Sequence, residues 1–513
     1  MVAAWGWPVT ASEWLSTTAL TLTTYNVLRI VYNLYFHPLS KIPGPVAWRA
    51  SRLPFIWSLL RGTIVHDFER LHRQYGPIIR IAPDEVTFAH EDAYKDIFQL
   101  RKDHPQFLKD LVWWKTQPGM ADSLLSAIDP KHHARIRGLL APGFTPRALK
   151  EQEHILHFYV NLLVERIRER VNETPESGAV IDMVPWFNFT AFDIFGDLGF
   201  GESFNCLQDS KYHPWIALLF NSVKAASYVA AARFYPIVER LLMMCIPPSL
   251  RKMQRDHYQQ IVDKVDRRLN FELERPDIMS HVIRGTERRE LPEGTVHTTF
   301  MVLTTAGSET TATALSGTLN YLVNNPDKLE TLVREIRGTF QQESDIDLDA
   351  LRKLPYLNAV LNEGLRLCPP VPWILPRRVP EGGDTVCGTW LPGGTPVSIQ
   401  AYTMNRDPAY FHSATSFIPE RWLSDSRTDQ ESPFFHDRLQ VVQPFSDGPR
   451  ACLGLHLAWA ELRLILSKLI WVFDFEVVED RKMRWEDLRT FLLVEKKPIE
   501  VRARLRDSTA SVA

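Results

Sequence analysis

Apolar side chains recur every three to four positions along most of this chain, the spacing that gives an α-helix one buried face. The pattern predicts long helices over residues 154–171, 258–273, 296–323, 328–340, 357–367 and 455–472. Short runs with strand character predict strands over 78–82, 85–88, 386–390 and 396–400, the last two joined by a turn at Pro392-Gly-Gly394. The predicted fold class is therefore mainly α with small β-sheets, in one large helical domain.

The first 36 residues differ from the rest because they carry few charges. Residues 14–28 carry none, and Arg29 then interrupts a second apolar stretch that ends at Phe36. A membrane helix needs about 20 mostly apolar residues, so we expect a single membrane anchor within 1–36; a segment lying on the membrane surface is the alternative. The prolines of 37–45 predict a stiff hinge. The globular domain is expected over 46–505 and a disordered tail over 506–513.

Composition narrows the choice of partner and compartment. Lys plus Arg number 59 and Asp plus Glu number 61, so the net charge of −2 argues against a nucleic-acid partner. The five cysteines form no CxxC motif and no cluster with zinc-site spacing, which disfavours a disulfide scaffold and favours a reducing compartment. Glycosylation sequons begin at Asn172 and Asn188, and in such a compartment they would stay unmodified.

The strongest chemical signal is the run Phe445-Ser-Asp-Gly-Pro-Arg-Ala-Cys-Leu-Gly454, immediately before the predicted helix 455–472. Gly448 and Gly454 allow backbone turns that other residues resist. Cys452 lies at the N-terminal end of the helix, where backbone amides and the helix dipole favour a thiolate. Arg450 offers a cation for an acidic cofactor group. A thiolate held in this way is a good ligand for a soft metal centre; the alternative is a buried cysteine that packs as a small hydrophobe.

Three other segments place polar or small residues at positions that need a reason. Glu363 and Arg366 are three residues apart and can form an ion pair, which on a surface would contribute little. His133 and Arg137 share a helical face, as they would on any solvated basic helix. The run Ala306-Gly-Ser-Glu-Thr-Thr311 puts a glycine inside a predicted helix, at a cost of about 1 kcal/mol relative to alanine, and a hydroxyl there can open the helix. Taken alone, that run could equally be a small-residue packing site.

Together and in this order, these segments resemble the cytochrome P450 family. The cysteine run fills every fixed position of the haem-binding signature Phe-x-x-Gly-x-Arg-x-Cys-x-Gly. The run 306–311 is similar to the oxygen-activation motif, and Phe417-Ile-Pro-Glu-Arg-Trp422 is similar to the motif that carries the family's meander arginine. The resemblance spans roughly residues 30–500. It implies haem b bound through the Cys452 thiolate, a ligand that favours O–O cleavage, with O2 as co-substrate.

The resemblance also implies a role for each motif residue. Glu309 and Thr310 would be the catalytic acid and alcohol that relay protons to bound dioxygen, and Glu363, Arg366 and Arg421 would form a buried triad that braces the haem core. Haem contacts would fall to Cys452, the axial ligand of the iron, and to Phe445, Gly448, Arg450, Gly454, His133, Arg137 and Arg377, with Arg378 as an alternative to Arg377. The positions expected to face the substrate are Trp113, Trp114, Thr304, Thr305, Ala306, Val371, Trp373, Phe491 and Leu492.

Two segments, 35–45 and Glu420-Arg-Trp-Leu423, look like those of fungal P450 enzymes that act in secondary metabolism. The implied activity is that of a haem-dependent monooxygenase that hydroxylates or epoxidises a large apolar terpenoid, polyketide or alkaloid. The alternatives are a desaturase, an oxidative ring-coupling enzyme or an isomerase without net oxygen insertion. The intact Glu309–Thr310 pair argues against the isomerase, and also against a non-catalytic haem sensor, but it does not separate hydroxylation from desaturation.

The expected partners follow from the same resemblance. No flavin or nicotinamide domain is visible in the 513 residues, so electrons are expected from NADPH through a separate cytochrome P450 reductase, with cytochrome b5 as a further donor. The basic residues that could dock the reductase are Lys131, His132, Arg135, Arg147 and Lys150, although a solvated surface explains them equally well. The expected location is the endoplasmic reticulum membrane, with a single-pass N-terminal anchor and the catalytic domain facing the cytosol.

Overall fold

The computed structural model describes residues 11–117, 119–212, 214–271, 275–287 and 291–506. The expected anchor segment 1–36 and the expected tail 506–513 therefore lie partly outside the described residues. Within these residues α-helices dominate. Those of the first half are α1 (Ala11–Val31), α2 (Val46–Ala50), α3 (Leu53–Arg61), α4 (Ile64–Tyr75), α5 (Ala93–Phe98), α6 (Leu111–Trp114), α7 (Pro130–Leu140), α8 (Pro146–Asn172), α9 (Met183–Phe200), α10 (Cys206–Asp209) and α11 (Pro214–Arg233).

The second half of the chain carries the longest helix, α15, and the helix that follows the cysteine run, α21. Its helices are α12 (Pro236–Cys245), α13 (Pro248–Leu269), α14 (Ile278–Glu287), α15 (Glu293–Val323), α16 (Pro326–Thr339), α17 (Leu348–Leu351), α18 (Pro355–Leu367), α19 (Ala401–Asn405), α20 (Ser424–Thr428) and α21 (Leu455–Val472). Short 3-10 turns lie at Ala141–Phe144, Glu343–Asp345, Pro419–Trp422, Leu439–Val441, Gly448–Arg450, Glu479–Arg481 and Trp485–Asp487.

Small sheets lie beside the helices. The strands are β1 (Ile78–Ala82), β2 (Glu85–Phe88), β3 (Leu108–Lys109), β4 (Ala179–Asp182), β5 (Ile374–Arg378), β6 (Asp384–Val386), β7 (Thr389–Leu391), β8 (Pro396–Ile399), β9 (Phe473–Val477), β10 (Thr490–Phe491), β11 (Leu493–Val494) and β12 (Glu500–Leu505). One sheet has the order β1-β2-β8-β5-β3 and another the order β4-β12-β9, while β6-β7 and β10-β11 pair as hairpins. The mainly α fold with small sheets is as predicted.

The centre of the molecule is α15, which is buried along most of its length. It runs antiparallel to α9: the Phe200 ring packs near Phe300 with centroids 5.9 Å apart, and the Ser308 hydroxyl donates to the carbonyl of Ala191 at 3.3 Å. Helix α18 lies so close to α15 that a side chain on Gly364 would overlap the hydroxyl of Thr318. These contacts fix α15 and α18, the two helices that carry most of the expected site.

The predicted long helices are confirmed, and α21, β1 and β2 coincide with the predicted ranges. Most errors lie at helix starts. Helix α8 begins at Pro146 rather than 154, because proline suits the first helical turn and the Thr145 hydroxyl accepts from the amide of Ala148 at 3.2 Å. Helix α13 begins at Pro248 and ends at Leu269, so its predicted range was shifted towards the C-terminus.

The predicted strand 386–390 and its pairing with 396–400 are wrong. Cys387 and Gly388 both have positive φ, +47° and +73°, which reverses the chain between β6 and β7. Two successive left-handed residues are typical of a tight hairpin turn. Strand β8 instead pairs in parallel with β2 and antiparallel with β5. Local sequence patterns do not indicate that β8 joins β2, because β2 lies about 300 residues away along the chain.

From Ala11 to Val31 the chain is helical, and it continues as a π-helical turn over Tyr32–Phe36. Within the described residues, no helix combines the length and the apolar character needed to cross a membrane. The expected membrane-spanning anchor over 14–36 is therefore not supported. The physical reason is dilution: the polar residues of α1, among them Thr17, Thr18 and Asn26, lower its mean hydropathy.

Candidate active site

The loop before α21 is shaped by backbone contacts. The amide of Cys452 donates to the carbonyl of Phe445 at 2.8 Å, and the Asp447 carboxylate accepts from the amide of Gly448 at 2.6 Å. Gly448 has a φ of +73°, and a side chain there would overlap the carbonyl oxygen of Phe98. Glycine is therefore required at this position, both for the turn and for the close approach to the end of α5.

The sulfur of Cys452 borders an open space within the molecule, because the residue is surrounded by protein and yet its side chain remains accessible. Burial raises the pKa of the Cys452 thiol, whereas the amide of Gly454 and the guanidinium of Arg137 act in the opposite direction. Arg137 is held in place by donating to the carbonyl of Ala451 at 2.8 Å. A hydrogen-bond donor and a cation thus lie close to the sulfur, as a metal-bound thiolate requires.

Basic side chains from separate elements converge beside this loop: His133 and Arg137 from α7, Lys109 from β3, Arg377 from β5 and Arg450 from the loop itself. We call them the cation cluster. Burial lowers the pKa of every member, and neighbouring cations lower it further for His133, Lys109 and Arg377. The pKa of His133 falls to about 3, so this imidazole is neutral at pH 7 unless an anion lies beside it, and the pKa of Arg377 falls to about 9.

Backbone carbonyls accept most of the hydrogen bonds that the cation cluster donates. Arg450 donates to the carbonyls of Ala127 and Ile128 at 2.6 and 2.7 Å, and Lys109 donates to another carbonyl of the same segment. The Nη1 atom of Arg377 is buried and has no partner among the described residues. Buried charge without a counter-ion is costly, so the cluster is suited to an anionic group.

One face of α15 remains open although the helix is otherwise buried. Val302, Thr305, Ala306 and Thr310 keep accessible surface. Val302 lies three and four residues before Thr305 and Ala306, and Thr310 lies four residues after Ala306, so the four share one side of the helix. The Thr310 hydroxyl donates to the carbonyl of Ala306 at 2.7 Å. A hydroxyl in this position is able to exchange its backbone bond for a bond to a ligand in the open space.

Glu309, the expected acid, is buried beside that face. Its carboxylate forms an ion pair with Lys496, which follows β11, and the Lys496 ammonium also donates to the Thr313 hydroxyl at 2.9 Å. Burial raises the pKa of the Glu309 carboxyl, and Lys496 opposes the shift. Lys496 was not among the predicted residues, because nothing near it in the sequence points to α15.

The expected triad is brought together with no exposure to solvent. Arg366 binds both carboxylate oxygens of Glu363, at 2.7 and 2.8 Å, and Arg421 binds one of them at 3.1 Å. All three side chains are 0% exposed. Arg421 also pairs with Asp437, a fourth member that the motifs did not indicate. Burial alone would raise the pKa of Glu363, but the two arginines hold it below its usual value.

A protein-family model described as Cytochrome P450 matches residues 49–503, most of the chain. The chain belongs to the cytochrome P450 family. The similarity to relatives also extends over almost all of the P450. The cytochrome P450 monooxygenase lcsI of Purpureocillium lilacinum is 41% identical over 93% of this chain and 92% of its own. The averantin hydroxylase of Dothistroma septosporum is 40% identical over 94% of this chain and 89% of its own.

A third relative, the cytochrome P450 monooxygenase atr2 of Stereocaulon alpinum, is 37% identical over 95% of this chain and 94% of its own. All three are monooxygenases or hydroxylases by name, from fungi. The P450 is therefore a monooxygenase by family.

The family implies a haem held by a cysteine thiolate, with O2 and an electron donor. The residues present fit that group. Cys452 offers a sulfur to an open space, and the cation cluster would face the two propionates, with the unpartnered Nη1 of Arg377 as one donor. The ring of Phe445 packs against Trp459 of α21, with centroids 6.2 Å apart, and so joins the loop to the helix.

The surroundings of Arg377 and Arg378 favour Arg377 as the haem contact. The Nε of Arg378 lies 2.7 Å from the Asp110 carboxylate, and its Nη1 donates to the carbonyl of Gly394 at 2.8 Å, so its charge is already neutralised. Arg377 is buried in the cation cluster. Lys109, which no motif indicated, is brought to the cluster by the β3–β5 pairing, where it lies directly opposite Arg377.

The residues expected to face the substrate divide into two groups. Side chains with accessible surface are Trp113, Trp114, Thr305, Ala306, Val371 and Leu492. Thr304, Trp373 and Phe491 are buried, so the structure does not support a substrate-facing role for these three. Thr304 donates to the carbonyl of Phe300 at 2.7 Å. Their side chains are already covered by protein neighbours.

The two buried aromatic residues show why the prediction failed for them. Trp373 packs against Phe55 and Phe68, with ring centroids 6.1 and 5.6 Å away, in a separate aromatic core. Phe491 covers Gly62 at the end of α3, where an added side chain would come within 2.7 Å of its ring. Apolar character alone does not distinguish a core side chain from one that lines a pocket.

Proposed function

We propose that this P450 inserts one oxygen atom of O2 into a C–H or C=C bond of a large apolar secondary metabolite, a terpenoid, polyketide or alkaloid. Two electrons from NADPH, delivered by a separate reductase, and two protons reduce the other oxygen atom to water. The observation that carries the proposal is the open face of α15, where Thr310 lies next to the buried Glu309. An isomerase has no need of a proton relay, so this pair favours oxygen activation over isomerisation.

Each residue has a distinct part in this proposal. Cys452 would hold the haem, which when bound would supply the O2 activation and oxygen transfer. Thr310 would donate its hydroxyl hydrogen to dioxygen in exchange for its bond to Ala306. Glu309 would deliver the protons. The apolar open face, from Val302 to Ala306, would orient the substrate by burial rather than by specific hydrogen bonds.

Product analysis tests the proposed reaction. Cells that express this chain with a fungal reductase are fed candidate intermediates, with averantin included because one relative is named for it. A product heavier by one oxygen atom supports the proposal, and a retained double bond favours hydroxylation over epoxidation. A product lacking two hydrogen atoms would favour the desaturase or the ring-coupling enzyme, and a product of unchanged mass the isomerase.

The Cys452 assignment has its own optical test. The purified chain, loaded with haem and reduced under CO, should show the red-shifted Soret band of thiolate ligation. Cys452→Ser should lose that band. Cys245→Ser is the matched control, because Cys245 is an exposed free cysteine of α12, and it should keep the band. Retention of the band in Cys452→Ser would overturn the assignment.

The outer face of α7 is the proposed docking site for the reductase. Lys131 and Arg135 are exposed there, on the side of α7 opposite His133. Arg147 and Lys150 are less suitable because their charges pair with Glu151 at 3.4 Å and Asp349 at 2.9 Å. Lys131→Glu with Arg135→Glu should weaken the reductase interaction, seen as a higher KM for reductase, and leave the CO spectrum unchanged. An unchanged KM would reject this site.

For location we propose attachment to the cytosolic face of the endoplasmic reticulum membrane. Every described residue of α1 is exposed, and α12 has no buried residue. Trp57 on α3 is 63% exposed and Ile237 on α12 is 75% exposed, and Phe55 and Phe234 join these two regions by a ring contact of 5.6 Å. Tryptophan and aliphatic side chains suit a membrane interface.

Two measurements test this location. Trp57→Ser with Ile237→Ser should move protein from the membrane to the soluble fraction, and unchanged fractionation would reject the surface. The sequon at Asn172 lies at the exposed end of α8, whereas Asn188 is buried. A glycan on Asn172 would therefore place the domain in the lumen and contradict the cytosolic orientation.

A further inference from the structure

The carboxylate of Glu309 has two oxygens in different situations. One oxygen pairs with Lys496, whose side chain is 6% exposed and is held in turn by Thr313. The other, Oε2, is buried and has no hydrogen-bond partner among the described residues. A buried acceptor without a donor is rare in folded proteins, and an ordered water molecule is the usual explanation.

A second buried acceptor lies on the neighbouring helix. Asn188 of α9 is 1% exposed, and its Oδ1 has no partner among the described residues. The antiparallel packing of α9 on α15 sets its position, since Ser308 bonds to Ala191 and Gly307 lies against the ring of Phe195. Asn188 is one turn before Ala191, so it lies close to the level of the turn that follows Glu309.

The amide nitrogen of Asn188 bonds to a residue that lines a cleft of the surface. Its Nδ2 donates to the Tyr212 hydroxyl at 3.0 Å. Burial, together with a smaller effect of the Glu309 charge, raises the pKa of Tyr212 to about 12. Tyr212 lines an open cleft of about 910 Å³, shared with Asp182, Phe189 and Lys211. Polar groups therefore lead from bulk water towards Glu309.

We propose that this cleft is the inlet for the protons consumed at Glu309, that Tyr212 and Asn188 line the passage, and that Lys496 is a positioning residue that holds the Glu309 carboxylate at its inner end. The inference rests on the proposed oxygen-activating role of Glu309. Each turnover takes up O2, two electrons and two protons, and leaves one oxygen atom in the product and one in water. Each proton passes from water in the cleft to the carboxylate of Glu309, which is restored when the proton moves on to reduced oxygen.

A crystal structure of the haem-bound full chain gives the most direct test and needs no substrate. Ordered water within hydrogen-bond distance of both Glu309 Oε2 and the Asn188 side chain is expected, with further water reaching Tyr212. A passage filled by protein atoms, with no water at Oε2, would overturn the proposal whatever the activity of the enzyme.

Kinetics with the haem-bound chain, reductase and NADPH provide the functional test, using the compound oxidised in the product screen. Tyr212→Phe and Lys496→Met should each lower NADPH-driven product formation about tenfold, raise peroxide release per NADPH and increase the solvent isotope effect in D2O. Lys496→Arg should restore most of the coupling because it keeps a cation beside Glu309. Product formation driven by cumene hydroperoxide should be unchanged, since that oxidant already holds oxygen at the peroxide level.

Matched controls separate the passage from general effects. Tyr159→Phe removes another part-buried hydroxyl, bonded to Asp197 at 2.8 Å, and Lys468→Met removes another buried lysine. Both should keep normal coupling. Equal coupling in Tyr212→Phe, Lys496→Met and the controls would reject the inlet while leaving the P450 assignment intact. Loss of the CO band or of peroxide-driven oxidation in the unmodified chain would instead count against the proposed function.

Discussion

Two buried glutamates, Glu363 on α18 and Glu309 on α15, have very different surroundings. The oxygens of Glu363 accept five hydrogen bonds, two from Arg366 and one each from Arg421, the Trp422 indole and the amide of Ile418. Glu309 has one cationic partner and one oxygen with no partner among the described residues.

The pKa directions differ in the same way. Burial would raise the pKa of both carboxyls, but two arginines hold Glu363 below its usual value, whereas a single lysine leaves Glu309 above it. A carboxylate with every lone pair occupied is fixed in its charged form and acts as a brace. One that is incompletely bonded is able to gain and lose a proton, as a relay requires. The number of hydrogen bonds that a buried carboxylate accepts thus distinguishes a structural carboxylate from a proton-transferring one more clearly than burial does.

The largest expected effect comes from breaking the saturated site. Glu363→Gln would leave Arg366 with an uncompensated buried charge, while Arg421 keeps Asp437, and we expect a loss of roughly 3–5 kcal/mol in the free energy of unfolding. Urea unfolding and the ratio of haem to protein measure the effect. Arg334→Ala breaks an exposed ion pair with Glu330 at 3.2 Å and should change neither quantity. Normal stability of Glu363→Gln would remove the distinction drawn between the two glutamates.

The matching change at the incompletely bonded site should affect chemistry instead. Glu309→Gln keeps the shape of the side chain and removes the transferable proton. Burial already lowers the pKa of Lys496, and a lysine, unlike an arginine, can give up its charge, so we expect a smaller loss of stability than at Glu363 and an unchanged CO spectrum. NADPH-driven product formation should fall on the order of 100-fold, with more peroxide released. If Glu309→Gln instead failed to fold, its carboxylate would belong with Glu363 as a brace.

A smaller effect is expected in the cation cluster, where the buried Nη1 of Arg377 has no hydrogen-bond partner among the described residues. Arg377→Leu should release haem about tenfold faster, because a charge-assisted hydrogen bond contributes roughly 1.5–3 kcal/mol. Haem transfer to apomyoglobin measures the rate. Arg378→Leu is the control, since that guanidinium already pairs with Asp110 at 2.7 Å. A larger effect of Arg378→Leu would reverse the assignment of the haem contact.

These sites differ in how far the sequence could predict them. The cysteine loop and the Glu363–Arg366 pair are visible because all their residues fall within one loop or one helical turn. Lys496 lies 187 residues from Glu309, and Asp437 and Lys109 reach their partners only through the folded arrangement of separate elements. No local spacing in the sequence predicts such contacts. The number of hydrogen bonds and ion pairs that a buried charged group makes therefore cannot be predicted from the sequence alone.

The same limit explains the structural errors. The helix period is local and predicted α15, α18 and α21 well. The partners of β8 are not local, and the hairpin at Cys387 depends on a left-handed backbone that cysteine rarely adopts. For Trp373 and Phe491, the sequence indicates an apolar environment but not whether protein or substrate supplies it.

A third buried carboxyl, Glu461 on α21, offers the smallest test. It is buried against α15, close to the Thr311 hydroxyl, which donates to the carbonyl of Gly307 at 3.2 Å, and its Oε2 has no partner among the described residues. Within the part of the chain that the structure describes, no cation compensates its burial as Lys496 does for Glu309. Burial raises the pKa of Glu461 to about 8 and Thr311 opposes the shift, so this carboxyl is a neutral acid at pH 7.

The sign of its pH dependence follows from proton binding. Between the unfolded pKa, about 4.3, and the folded value of about 8, the folded state binds the extra proton, so the free energy of unfolding falls as pH rises. Glu461→Gln removes that proton. From pH 6 to pH 7 the unmodified chain should lose about 1 kcal/mol more stability than the variant, measured by urea unfolding at each pH. Glu330→Gln, at an exposed position, should follow the unmodified chain. Parallel curves for Glu461→Gln and the unmodified chain would mean that Glu461 is charged when folded, and that an unsaturated buried carboxyl need not hold its proton.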